Sequence, residues 1–127
     1  MFGNGIYFAD SFSKSVMYCR NEGACYVLLC GVALGTVKES RTAMKQDVVD
    51  ASLELGYHSV KGIGLHSPSD ETQLRLPDGL IVPMGPLVRQ PNFNGCLRYN
   101  EYVVYDSDRV KLKYLCKVQV NRAAYRP

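Results

Sequence analysis

The period of hydrophobic and polar positions changes several times along the chain, and each change marks an element. Residues 5–9 form a short β-prone run, after which Asp10 or Ser11 is placed to cap a helix with Phe12, Val16 and Cys19 on one face, ending near Gly23. Residues 24–34 are almost unbroken Val, Leu, Ala and Cys, the pattern of a strand covered on both faces, or on one face with small residues on the other, and so of the central strand. The stretch 38–55 is loosely helical or irregular. Glycines at 56, 62 and 64 around a Ser-Val-Lys step predict a turn-rich surface excursion over 57–64. Residues 73–76 and 80–82 flank Pro77-Asp78-Gly79 and read as a hairpin, because Asp-Gly supplies the positive φ that a tight reversal demands. The last two runs, 99–105 and 110–120, are separated by Asp106-Ser107-Asp108-Arg109 and are expected to pair antiparallel. In the second of them Val110, Leu112, Tyr114, Cys116, Val118 and Val120 alternate with Lys111, Lys113 and Lys117, so the lysines form one solvated face. The fold class is α+β, dominated by antiparallel sheet, with one short helix after the first strand and no internal repeat.

Composition narrows the function classes. With 127 residues, 46% hydrophobic and 21% charged, the chain has the profile of one globular domain or a large piece of one. No apolar run approaches the roughly 20 residues that a spanning helix needs, so no membrane partner is expected. A net charge of +3 is too small and too scattered for a nucleic-acid surface, and the alternating lysines supply no basic and aromatic platform. The cysteines Cys19, Cys25, Cys30, Cys96 and Cys116 contain no C-x-x-C pair and no nearby His that completes a zinc set, so no metal is expected. They read as reduced, mostly buried thiols, with a reactive thiol as the alternative.

Two features carry chemistry. Glu101 stands inside the strand Tyr99-Asn100-Glu101-Tyr102-Val103-Val104-Tyr105, where strand interiors disfavour a carboxylate. Period 2 puts it on the face of Tyr99, Val103 and Tyr105. A carboxylate so placed is paired, hydrogen-bonded or neutralised, which leaves two readings: a structural partner such as Lys14, or a ligand cleft. The second feature is Tyr7 followed by Ser15 and Tyr18. Ser15 and Tyr18 lie three apart on the expected helix and present a hydroxyl and a ring together, a pair suited to a flat polar ring; half-buried tyrosines and solvated serines are the plainer account.

Several blocks then occur in one order: Gly5-Ile6-Tyr7-Phe8-Ala9-Asp10, Ser13-Lys14-Ser15 with Tyr18-Cys19, Val32-Ala33-Leu34-Gly35, His58-Ser59-Val60-Lys61-Gly62, Tyr99-Asn100-Glu101-Tyr102-Val103-Val104-Tyr105-Asp106 and Leu112-Lys113-Tyr114-Leu115. In these the chain resembles the C-terminal part of the catalytic domain of the poly(ADP-ribose) polymerases over nearly its whole length. Ordered blocks of this length are far more specific than one short motif. The resemblance implies an ADP-ribosyltransferase-like fold whose N-terminal part is missing. It also implies an NAD+-dependent transferase that releases nicotinamide and modifies protein acceptors.

Residue by residue, the resemblance implies that Glu101 is the catalytic glutamate, with Lys14 beside it. Tyr18 stacks on nicotinamide, Ser15 bonds its carboxamide and Tyr7 closes the pocket, with Phe8 and Ala9 of the same block in the NAD+-binding set. Met1 and Tyr99 fall on the acceptor side. A glutamate at the catalytic position goes with chain-extending relatives, so polymer synthesis is implied. Nuclear residence and DNA repair are implied by relatives alone, and DNA would be met only through modules that these 127 residues do not include. The family's histidine, expected upstream of the Gly-Ile-Tyr block, has no counterpart here, since His58 and His66 both follow that block. Asn4 and Tyr57 stand where relatives commonly carry lysine. The chain is therefore expected to begin mid-domain and to be weakly stable and inactive alone. The alternative from another class is a catalytically silent scaffold or nicotinamide-binding module.

Overall fold

The computed structural model describes residues 1–19 and 23–120. In chain order the elements are β1 (Ile6–Phe8), α1 (Phe12–Val16), β2 (Ala24–Val32), β3 (Val37–Ser40), α2 (Gln46–Glu54), β4 (Ser59–Gly62), β5 (Gly64–Pro68), β6 (Leu74–Arg75), β7 (Ile81–Val82), β8 (Leu87–Arg89), β9 (Leu97–Tyr99), β10 (Glu101–Val104) and β11 (Val110–Gln119). This is an α+β arrangement, with a second and longer helix, α2, in the stretch read as loosely helical. The sheet that matters for the site runs β1-β10-β4-β3, antiparallel except for β3 on β4. A second sheet, β8-β5-β9, abuts it through the β4–β5 and β9–β10 connections. Strands β2 and β11 form an antiparallel ribbon, and β6 and β7 form the expected hairpin with Gly79 at φ 82°.

The core lies on one face of the first sheet, where Phe2, Val60, Leu97 and Val103 pack together with Met44 and Tyr105 against them. Gly62 makes this packing fit. A Cβ there would stand 2.6 Å from both the Phe2 ring and Leu97 Cδ1, so glycine lets two large side chains cross the strand. The glycines of 57–64 therefore serve close approach, and the expected surface excursion is instead the buried strand β4.

Three further expectations are corrected. The helix after β1 stops at Val16 rather than near Gly23, and residues 20–22 lie outside the described residues. Ser11 does cap it, accepting from the Lys14 N–H, but three serines in five positions offer the backbone competing bonds, and Phe12 remains exposed. Second, 24–34 is not the central strand: β2 ends at Val32, pairs with β11 and exposes Tyr26, Leu28 and Leu29. Third, the last two runs do not pair with one another. A short 3-10 turn over Ser107–Arg109, capped by the Asp106 carboxylate accepting from the Asp108 N–H at 2.9 Å, redirects the chain, so β10 joins β1 and β4 while β11 joins β2. A bulge between Leu112 and Tyr114 also puts these two on opposite faces of β11, breaking the expected alternation. Lys113 turns inward enough to meet Asp78, while Lys111 and Lys117 are exposed. Of the five cysteines Cys25 alone is buried, and Cys96 and Cys116 are exposed, so most of the thiols are not core residues.

Candidate functional site

Strand β10 positions the site. Its register sets Glu101 opposite Gly62 and Val103 opposite both Val60 and Tyr7. Glu101, Val103, Val60 and Tyr7 therefore share the core face, and Ala9 lies one step past the end of β1. Phe8, by contrast, is the partner of Tyr102 and lies on the opposite face. Helix α1 then brings Lys14 to the carboxylate: Lys14 Nζ is 2.5 Å from Glu101 Oε1, with 13% and 10% of the two side chains exposed.

Glu101 therefore has the structural partner of the first sequence reading, Lys14. It is 8% exposed and has the cationic partner, yet its second oxygen, Oε2, is buried and accepts no hydrogen bond. Ser15 and Tyr18 do not share the helix as expected, because the helix ends between them. The Tyr18 N–H still donates to the Ser15 carbonyl at 3.2 Å, so the turn keeps them adjacent, with the Tyr18 ring 72% exposed. The Ser15 hydroxyl bonds the Ser11 carbonyl at 3.4 Å. The Tyr7 hydroxyl donates to the Gly3 carbonyl at 2.8 Å and accepts from the Phe2 N–H at 3.0 Å, which fixes its ring over the entering chain. On the acceptor side implied for Tyr99, that buried ring has His66 at 6.1 Å between centroids and the Arg98 guanidinium at 5.4 Å.

The residues flanking Glu101 form a network that sequence reasoning missed. Asp10 Oδ2 accepts from Asn100 Nδ2 at 2.8 Å and from the Tyr102 hydroxyl at 3.0 Å, and Asn100 Oδ1 accepts from the Gly64 N–H at 2.8 Å. Burial, then the nearby Asp10 charge and its bond, push the Tyr102 phenol well above its ordinary range. Alternation was the available signal, since Asn100 and Tyr102 face away from Glu101 and toward Asp10. These three, with Lys61, Arg41 and Gln90, border a polar cleft of about 500 Å³. That cleft is on the far side of β10 from Glu101.

The family model for the poly(ADP-ribose) polymerase catalytic domain matches residues 1–120. The chain belongs to that family. It is 40% identical over 131 residues to poly(ADP-ribose) polymerase 1 of Caenorhabditis elegans, covering 98% of this chain and 14% of the relative. Identity to poly(ADP-ribose) polymerase 2 of Arabidopsis thaliana is 42% over 124 residues, covering 95% of this chain and 19% of the relative. For poly(ADP-ribose) polymerase 1 of Gallus gallus the identity is 44% over 124 residues, covering 95% and 12%. The chain thus spans between about an eighth and a fifth of the length of these relatives. Membership in the poly(ADP-ribose) polymerase catalytic family agrees with the sheet-rich α+β fold. Among the described residues no group of His, Cys, Asp and Glu is arranged to hold a metal ion.

Proposed function

We propose that Glu101, Lys14, Tyr7, Ser15 and Tyr18 form the nicotinamide end of an NAD+ ADP-ribosyltransferase site that extends ADP-ribose chains on protein acceptors. The observation that carries this reading is the divided state of Glu101. One oxygen is held by Lys14 and the other is unbonded in a place shielded from water. Leaving a buried acceptor unmade costs about 1–3 kcal/mol, so its retention suits a carboxylate kept for a substrate hydroxyl.

In this reading Tyr18 stacks on the nicotinamide ring, Ser15 bonds the carboxamide, and Tyr7, with the backbone of Phe8 and Ala9, closes the pocket. The bond from nicotinamide nitrogen to ribose C1′ breaks with its electron pair leaving on nicotinamide. Positive charge then grows on the sugar, where a fixed carboxylate is worth most. Glu101 also orients the acceptor hydroxyl, whose oxygen bonds to C1′ as its proton passes to the unbonded Glu101 Oε2. Met1 and Tyr99 border the acceptor. Nuclear residence and a part in DNA repair belong to the same proposal and rest on resemblance; imaging of the tagged protein outside the nucleus would remove them.

The deciding experiment is Glu101→Gln in the full-length protein. It keeps shape and removes charge, so chain extension is expected to fall about 100-fold or more, and nicotinamide release by less, as for loss of one transition-state electrostatic group. Polymer of wild-type length from the variant would reject this role for Glu101, whereas a wild-type full-length protein that binds nicotinamide but releases none from NAD+ would favour the catalytically silent, nicotinamide-binding module.

A further inference from the structure

The geometry points to Asp10 as the positioning residue for Glu101, an assignment that rests on the reading of Glu101 given above. Asp10 does not touch the Glu101 carboxylate. Its Oδ2 holds the side chain before it, Asn100 at 2.8 Å, and the side chain after it, Tyr102 at 3.0 Å. Both bonds converge on one oxygen, from the face of β10 opposite Glu101. Asn100 is 4% exposed and is tied in turn to the Gly64 N–H at 2.8 Å, so the strand is fixed on both sides of the carboxylate.

The chain then closes a loop. Asp10 is followed at once by Ser11, the cap of α1, and α1 delivers Lys14 to Glu101 at 2.5 Å. One carboxylate therefore sets the strand that carries Glu101 relative to the helix that carries its partner. Asp10 Oδ1 is buried and accepts no bond, so Oδ2 alone carries the clamp. Strands alone do not supply this constraint. Strand β1 ends at Phe8, and β10 begins only at Glu101, so the Glu101 end of β10 has no ladder partner on its β1 side. Asp10 takes over where that ladder stops.

A misplacement on the order of 1 Å from a change away from the reacting atoms costs about 100-fold. In the full-length protein Asp10→Ala is accordingly expected to lower kcat for ADP-ribose transfer by about 100-fold while KM for NAD+ moves less than about threefold. Asp10→Asn, whose amide oxygen still accepts from both Asn100 and Tyr102, is expected to recover most of that loss. A coupling test separates positioning from folding. In the Glu101→Gln background, Asp10→Ala should cost the residual nicotinamide release less than about twofold, because there is no longer a carboxylate to position.

Wild-type kcat in Asp10→Ala, equal losses in both backgrounds, or no rescue by Asp10→Asn would each overturn the assignment while leaving the site intact. Should Asp10→Ala not fold, Tyr102→Phe carries the test: it deletes one hydroxyl of the clamp, and an unchanged kcat would overturn the role. Normal chain extension by Glu101→Gln is the separate result that would remove the underlying reading of the site.

Discussion

Glu101 and Lys14 illustrate why a buried ion pair is weak support for stability and better support for function. Taking two charges out of water costs several kcal/mol per ion, and their attraction returns about that much only with good geometry and every remaining oxygen satisfied. Here the distance is short but Oε2 is left over. Tyr105 shows the opposite arrangement, a neutral phenol made secure by burial. Its hydroxyl donates to the Phe2 carbonyl at 2.7 Å, and burial, followed by the nearby Tyr7 and Asp50, raises its pKa from 10.0 to about 12. The sign follows directly, because a phenol whose folded pKa exceeds its unfolded one favours the native state fully below pH 10 and loses that contribution as pH rises toward 12. Denaturant midpoints measured across that window should fall, and Tyr105→Phe should flatten the fall without abolishing it, since Tyr102 is raised as well. An unchanged slope in the variant would show that Tyr105 is not the titrating group.

At the scale of elements, the sequence made the strand that carries Glu101 legible and hid what surrounds it. The alternation through 99–105 placed Glu101 on the Val103 face, as found. It did not disclose that Asn100 interrupts the strand, because an Asn in a β-run signals neither a break nor a side chain bonded across to β5. The pairing of 99–105 with 110–120 was read from proximity in sequence, yet the capped turn at Ser107–Arg109 sends the chain into another sheet. Glycine was the other ambiguous sign, since it marks turns and close approach alike. Gly64 is the sharper case: a Cβ there would stand 2.1 Å from the Tyr99 carbonyl carbon and 2.5 Å from the Asn100 nitrogen, both backbone atoms that cannot swing aside. Gly64→Ala is therefore expected to destabilise by about 3 kcal/mol or more and, on the proposed reading of Glu101, to lower transfer activity in whatever fraction still folds, because β5 must move away from the Tyr99–Asn100 backbone. Thermal melting and turnover per folded molecule test this; a melting temperature near that of the wild type would mean that β9 is not held as described.

The whole molecule is lopsided in what it buries. The core cluster sits on the β1-β10-β4-β3 sheet, whereas the β2–β11 ribbon leaves Tyr26, Leu28, Leu29, Leu112, Tyr114 and Leu115 between 44% and 67% exposed. The apolar run 24–34 was correctly legible as a strand, and its composition is that of a covered one; what pattern alone does not reveal is which part of a fold does the covering. Register puts Leu28 directly opposite Leu115, and Leu29 opposite Tyr114, so both faces of the ribbon present large apolar pairs. Contiguous apolar surface on an open strand pair favours association. The 127-residue chain is therefore expected to bind an apolar fluorescent dye and to grow in apparent mass with concentration in light scattering. Leu28→Lys with Leu115→Glu, a cross-strand pair of opposite charge, should suppress both signals while shifting the denaturation midpoint little, since each side chain is more than half exposed. Dye binding that persists undiminished would place the sticky surface elsewhere, and a collapse of stability would mean that these leucines are buried in the native chain.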